Sequence, residues 1–221
     1  MASPAQLVRR LAETTGVSLA TITDLDRRLV TASLRSKGGR GLHAAQITPL
    51  DAARLLTAIL GSAQANLAAN AVDRYAQTQV DRARSSDKIF GASGIADLVA
   101  LPARHSFVDG LERLIGSAAN GALANLIEKT DNQFAPPSLE IFAFTQATYA
   151  RIRLAGLPNG TVANVEYIPA RQPRAAYPKI ASRGIGTNEI AGDLEQSRRV
   201  TERTILAVAE LFAEERENGL A

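Results

Sequence analysis

Gly16, followed by Val17 and Ser18, divides the start of the chain into two short helical segments that cannot run together. Ser3-Pro4-Ala5-Gln6 opens the first. Ser3 can cap, Pro4 sits where no N–H is needed, and Gln6 can complete a capping box. Leu7, Val8 and Leu11 then share one face, up to about Thr15. Gly16 is the stop, because glycine takes left-handed backbone without a steric penalty. Ser18 caps the second helix, in which Ile22, Leu25 and Leu29 recur at helical spacing, with an end near residues 32–34. The N-terminal unit is therefore a tight helical corner.

Further helices follow. Thr48-Pro49-Leu50-Asp51 starts one over 49–60, with Asp51 at the third helical position and Gly61 as the stop. A second helical run covers roughly 63–83, with an amide-rich polar face. Ser85, Ser86, Asp87, Gly91 and Gly94 mark a boundary near 84–94. A third helical block spans 106–129, and its Gly110, Gly116 and Gly121 suit close backbone approach, either to a helix of the same chain or across a dimer seam. Residues 139–155 read as helix or strand. Arg151-Ile152-Arg153-Leu154 alternates strictly, and Asn159-Gly160 precedes a second alternating run, so a hairpin around 149–168 is expected. Prolines, glycines and cations make 169–187 an extended arm. A last amphipathic helix is expected over 193–217, with Val200, Thr204, Ala207, Val208, Leu211 and Phe212 on one stripe, offered as a self-association surface.

The fold class is thus mainly α with a small α+β part. Its segments are an N-terminal unit over 1–48, a helical connector over 49–84, and a small α+β domain over 85–168. A basic Pro/Gly-rich arm over 169–192 and a C-terminal helix over 193–221 complete the chain.

Charge is placed unevenly. Residues 1–54 carry 8 basic and 4 acidic side chains, 55–164 carry 9 of each, 165–187 carry 4 and 1, and 188–221 carry 4 and 8. Two basic segments in a chain with a pI of about 9.5 suit a polyanionic partner. The chain has no cysteine, which excludes disulfides, thiolate metal sites and cysteine nucleophiles, and its 2 histidines make a histidine-built metal site improbable. No phosphate-binding glycine loop is present, because Gly38-Gly39-Arg40-Gly41 has the wrong spacing and follows no strand. His43 reads as a surface residue and His105 as a local hydrogen-bonding one. Ser106 beside His105 makes no triad. The expectation is a cytoplasmic protein without cofactor, metal or membrane span, and not an enzyme.

The stretch Leu11-Ala12-Glu13-x-x-Gly16-Val17-Ser18-x-x-Thr21-Ile22 resembles the helix-turn-helix of lactose-repressor-type and related bacterial DNA-binding proteins. The resemblance covers residues 8–27 and does not extend to the sugar-binding domain of those repressors. In such a corner Ala12 is small because the second helix crosses it, Val17 plugs the angle, and Ser18 caps the recognition helix and can donate to a phosphate. By analogy Leu19, Ala20, Thr23, Asp24 and Arg27 face the bases, with Thr21 beside them. Asp24 needs Arg27 or Arg28 to shield it from phosphates. Residues 35–41 read as a reduced wing carrying Lys37 and Arg40, and Arg9, Arg10, Arg28 and Arg35 are further candidates for backbone contact.

The expected function is that of a sequence-specific double-stranded DNA-binding protein, a bacterial or phage-type transcription regulator acting as a homodimer. One alternative is a phage-type packaging protein resembling small terminase subunits. Another is a ligand-responsive regulator with residues 90–168 as the sensing domain.

Overall fold

A computed structural model describes residues 2–36, 46–86, 90–129, 137–157, 160–170 and 196–218. The fold is mainly helical, with one five-stranded antiparallel sheet.

α1 (Pro4–Thr15) starts as expected: the Ser3 N–H donates to Gln6 Oε1 at 2.7 Å and the Gln6 N–H to Ser3 Oγ at 3.3 Å. It stops at Gly16, whose φ of 72° lets its N–H return to the Ala12 carbonyl. α2 (Leu19–Thr31) buries Ile22, Leu25 and Leu29, and α3 (Pro49–Gly61) carries the Thr48–Asp51 capping box. α2 packs on α1, α3 and the helix at Ala68–Ala76.

α4 (Ala68–Ala76) is shorter than the run expected over 63–83. A 3-10 turn at Ala65–Leu67 precedes it, and Thr78–Val80 forms strand β1. The Thr78 hydroxyl donates to the Tyr75 carbonyl at 2.7 Å, and Val80 turns into the core. β1 exists because the strand Ala163–Pro169 offers it a ladder, from Thr78 opposite Pro169 to Val80 opposite Tyr167. Past it, Ser85 and Ser86 bond to the backbone of Glu166 and Asn164.

The block expected over 106–129 is two helices, α6 (Phe107–Ala119) and α7 (Ala122–Lys129), parted at Asn120-Gly121. The short α5 (Ala96–Val99) lies before them. Gly110 does serve a close approach, but to the sheet. A Cβ there would stand 2.5 Å from Tyr167 Oη and 3.3 Å from Ile152 Cδ1.

The ambiguous stretch at 139–155 resolves as strands β2 (Ser138–Phe144) and β3 (Ala150–Ala155). β3 and β4 (Ala163–Pro169) make the expected hairpin, with Ile152 opposite Val165. Sheet order is β1-β4-β3-β2-β5. Leu139, Ile141, Ile152, Leu154, Val165 and Tyr167 are buried on its inner face, which α3, α6 and the helix Glu202–Asn218 cover. Glu140, Phe142, Arg151, Arg153 and Glu166 alternate with them on the other face.

The C-terminal region departs furthest from expectation. Ser197–Thr201 is strand β5, paired to β2 with Val200 opposite Ile141, so Val200 is not on a helix. α8 (Glu202–Asn218) begins there, and the Glu202 carboxylate accepts the Leu139 N–H at 3.0 Å. Thr204, Ile205, Val208, Leu211 and Phe212 are buried, and α8 packs on α6 and α1 of its own chain. Each such apolar side chain contributes about 1.5–3 kcal/mol by leaving water. The stripe expected to join two subunits is therefore spent inside one. The arm expected at 169–187 lies, past Ala170, outside the described residues.

Candidate nucleic-acid interface

The corner is assembled as its residues dictate. Ala12 and Val17 are half-buried against the core, and Gly16 turns the chain between them. The Ser18 hydroxyl accepts the Thr21 N–H at 3.2 Å and lies 2.8 Å from Thr21 Oγ1. It thus orders the first turn of α2. The core holds one side of α2 through Ile22, Leu25 and Leu29, so the opposite side is left to solvent. Leu19, Thr23, Arg27 and Thr31 run down that side at four-residue steps, flanked by Ala20 and Thr21, and all are exposed. Leu19 is 52% exposed. The Thr23 hydroxyl donates to the Leu19 carbonyl at 2.7 Å.

Asp24 is shielded on both oxygens. Arg27 Nη2 lies 2.7 Å from Oδ1 and Arg28 Nε 3.0 Å from Oδ2. Hydrogen bonding from Arg28, then from Arg27, holds the Asp24 carboxyl below the usual range. A carboxylate so engaged is a poorer reader of cytosine and a better anchor for two guanidiniums.

The remaining cations divide. Arg9 is exposed. Arg10 is tied to Glu210 of α8 at 2.9 Å. Arg35 is not a surface cation: its side chain is 9% exposed and its Nε lies 2.6 Å from Asp26 Oδ1. Burial raises the Asp26 carboxyl above its ordinary value, a rise that Arg35 opposes and the neighbouring Asp51 charge adds to. Arg35 is a structural partner of Asp26, and the expectation that it meets a phosphate is corrected accordingly. Lys37, Arg40 and His43 fall outside the described residues.

Asp51 does more than its capping position announces. It is 1% exposed. Its Oδ2 accepts the Thr48 N–H at 2.9 Å and the Thr48 hydroxyl at 3.0 Å. Its Oδ1 accepts the Ser36 N–H at 3.0 Å. Arg54 adds a bond to the Leu34 carbonyl at 2.9 Å. One carboxylate at the start of α3 therefore ties Thr48 to Ser36, the last described residue before the basic, glycine-rich sequence 37–45. The capping box was legible in Thr48-Pro49-Leu50-Asp51. The bond to Ser36 was not, because no local pattern marks a partner fifteen residues upstream.

Elsewhere the polar groups serve the core. Ser106 caps α6 in a box with Asp109. The buried His105 ring has Nδ1 2.7 Å from the Pro102 carbonyl and Nε2 2.9 Å from Tyr167 Oη. Both contacts suit the neutral ring: Nδ1–H donates to the carbonyl, and Nε2 accepts from the tyrosine. Burial lowers the His105 pKa accordingly. A cleft of about 730 Å³ lies at the sheet edge between Gln79–Arg82, Pro102–Arg104 and Ile168–Pro169. Among the described residues, no group of three or more histidines or carboxylates could hold a metal ion. No helix among them is long and apolar enough to cross a membrane. No family model, curated protein or solved structure matched the chain when it was compared with them.

Proposed function

We propose that this chain is a sequence-specific double-stranded DNA-binding protein of the transcription-regulator kind, and that α1 and α2 form its helix-turn-helix. The observation that carries the reading is the exposed stripe of α2. A helix anchored by Ile22, Leu25 and Leu29 presents Leu19, Ala20, Thr23 and Arg27 outward, where Thr23 and Arg27 bond only within α2. That side suits the major groove: Leu19 and Ala20 can meet thymine methyls, Thr23 can reach a base edge, and the ordered first turn at Ser18 and Thr21 can approach a phosphate. Asp51 ties Ser36 to Thr48, and the basic sequence 37–45 between them would supply Lys37 and Arg40 to the backbone. Self-association through α8 is no part of this reading, since its apolar stripe is buried.

The full chain is needed for a test, because α1 leans on α8 and α2 on α4. The purified protein and its Leu19→Glu variant would each be used to select from a pool of random duplexes. Wild type should enrich one motif, and Leu19→Glu should enrich none while melting as wild type does. A wild-type pool that stays random would overturn the proposal. Chromosomal mapping would then place the motif in promoters, as regulation requires.

A further inference from the structure

α2 ends beside a second feature that the corner motif does not include. A cleft of about 570 Å³ is lined by Arg27, Arg28, Thr31, Ala32, Asn66 and Ala69. It separates the last turns of α2 from the Ala65–Leu67 turn and the start of α4. Arg27 and Arg28 each spend one donor on Asp24, and among the described residues the rest of each guanidinium fork is free. Their side chains are 77% and 41% exposed. Asn66 is exposed, and its amide has no hydrogen bond among the described residues. The Thr31 hydroxyl donates to the Arg27 carbonyl and adds no donor. The cleft thus gathers two ordered guanidiniums and one free amide, a donor set that fits phosphate oxygens.

Position decides which phosphate. Arg27 lies eight residues beyond Leu19, about 12 Å along the helix axis. The major groove is about 12 Å wide. If Leu19 and the cap at Ser18 sit near one strand, Arg27 reaches the other. We propose that this cleft holds the opposite sugar-phosphate backbone of the bound duplex, with Arg27, Arg28 and Asn66 donating to its phosphates. The inference rests on the reading of α2 as the groove-facing helix. It adds a contact from outside the helix-turn-helix, and it makes Asp24 a positioning residue that points two arginines at the backbone.

The test is fluorescence anisotropy of the full chain with a mixed-sequence duplex of about 30 base pairs, three helical turns, across about 50–200 mM salt. Arg27→Ala should flatten the salt slope by about 1. Asn66→Asp should weaken binding about fivefold at low salt, the effect of two like charges roughly 4 Å apart in solvent. Both sites are exposed, so melting temperatures should match wild type. The inference is overturned, with the groove reading intact, if Asn66→Asp and Arg27→Ala bind as wild type at every salt concentration while Leu19→Glu loses binding. No duplex binding by wild type overturns both.

Discussion

The α1–α2 corner and the helix-on-sheet body use their polar groups in opposite ways. In the body, polar side chains turn inward and bond to distant backbone. Tyr75 Oη donates to the Phe144 carbonyl at 2.6 Å, His105 bridges Pro102 to Tyr167, and Glu202 receives the Leu139 N–H. On the outer side of α2, polar side chains bond to their own helix or to one another, as Thr23 does to Leu19 and Asp24 to Arg27 and Arg28, while Asp26 pairs inward with Arg35. A group that satisfies itself locally leaves its outer face available. The body is built to hold together, and α2 is built to be held out.

Truncation in the body should cost most. Phe107 is fully buried, with ring centroids 5.4 Å from Tyr75 and 5.5 Å from Tyr167. Phe107→Ala should lose about 3–5 kcal/mol in denaturant unfolding. A loss under 1 kcal/mol would mean that α6 is not the centre of the core.

Asp51 stands where the two regions meet. Asp51→Ala should cost roughly 2–3 kcal/mol, because charge-assisted bonds to Ser36 and Thr48 vanish together. It should also weaken duplex binding by releasing Ser36 and Thr48, which lie on either side of Lys37 and Arg40 in the chain. Destabilisation with unchanged binding would separate segment 37–45 from the interface.

A smaller effect should follow pH. The folded-state pKa of His105 is lowered, so its contribution is complete above the unfolded pKa of about 6.5. It is lost as pH falls through the folded-state pKa, since the unfolded chain takes up a proton that the buried ring refuses. Stability measured from pH 7.5 downward should show this decline, and His105→Gln should flatten it. An unaltered profile in the variant would assign the decline to other groups.

The smallest effect on stability should come from α2 itself. Leu19→Ala and Thr23→Ala should each shift unfolding by no more than about 0.5 kcal/mol. If either costs 2 kcal/mol or more on that scale, the outer side of α2 supports the fold, and the contrast with the body fails.

Legibility follows the range of the interactions. The boxes at Ser3–Gln6, Thr48–Asp51 and Ser106–Asp109 each close within a few residues, and the first two were read from the sequence along with their helices. Gly16 and the alternation at Arg151–Leu154 are equally local, so the corner and the hairpin were legible too. The partner of Arg35 was not. A cation in a polar run looks like a surface residue until the fold supplies Asp26 and removes water. The cleft at Arg27 was half legible: its arginines were in view, but Asn66 belongs to another element.

By itself, then, the sequence determined the helix starts, the left-handed turn at Gly16, the buried and exposed sides of α2, and the β3–β4 pairing, because caps, turns and periodicity act between near neighbours. Tertiary structure decided that Thr78–Val80 and Ser197–Thr201 are strands, since so short an edge segment has a ladder only if β4 or β2 is already beside it. It decided in the same way where α8 spends its apolar stripe. Amphipathicity requires that a face be buried, but the surface that buries it, here α6 and α1, is set by the path of the whole chain.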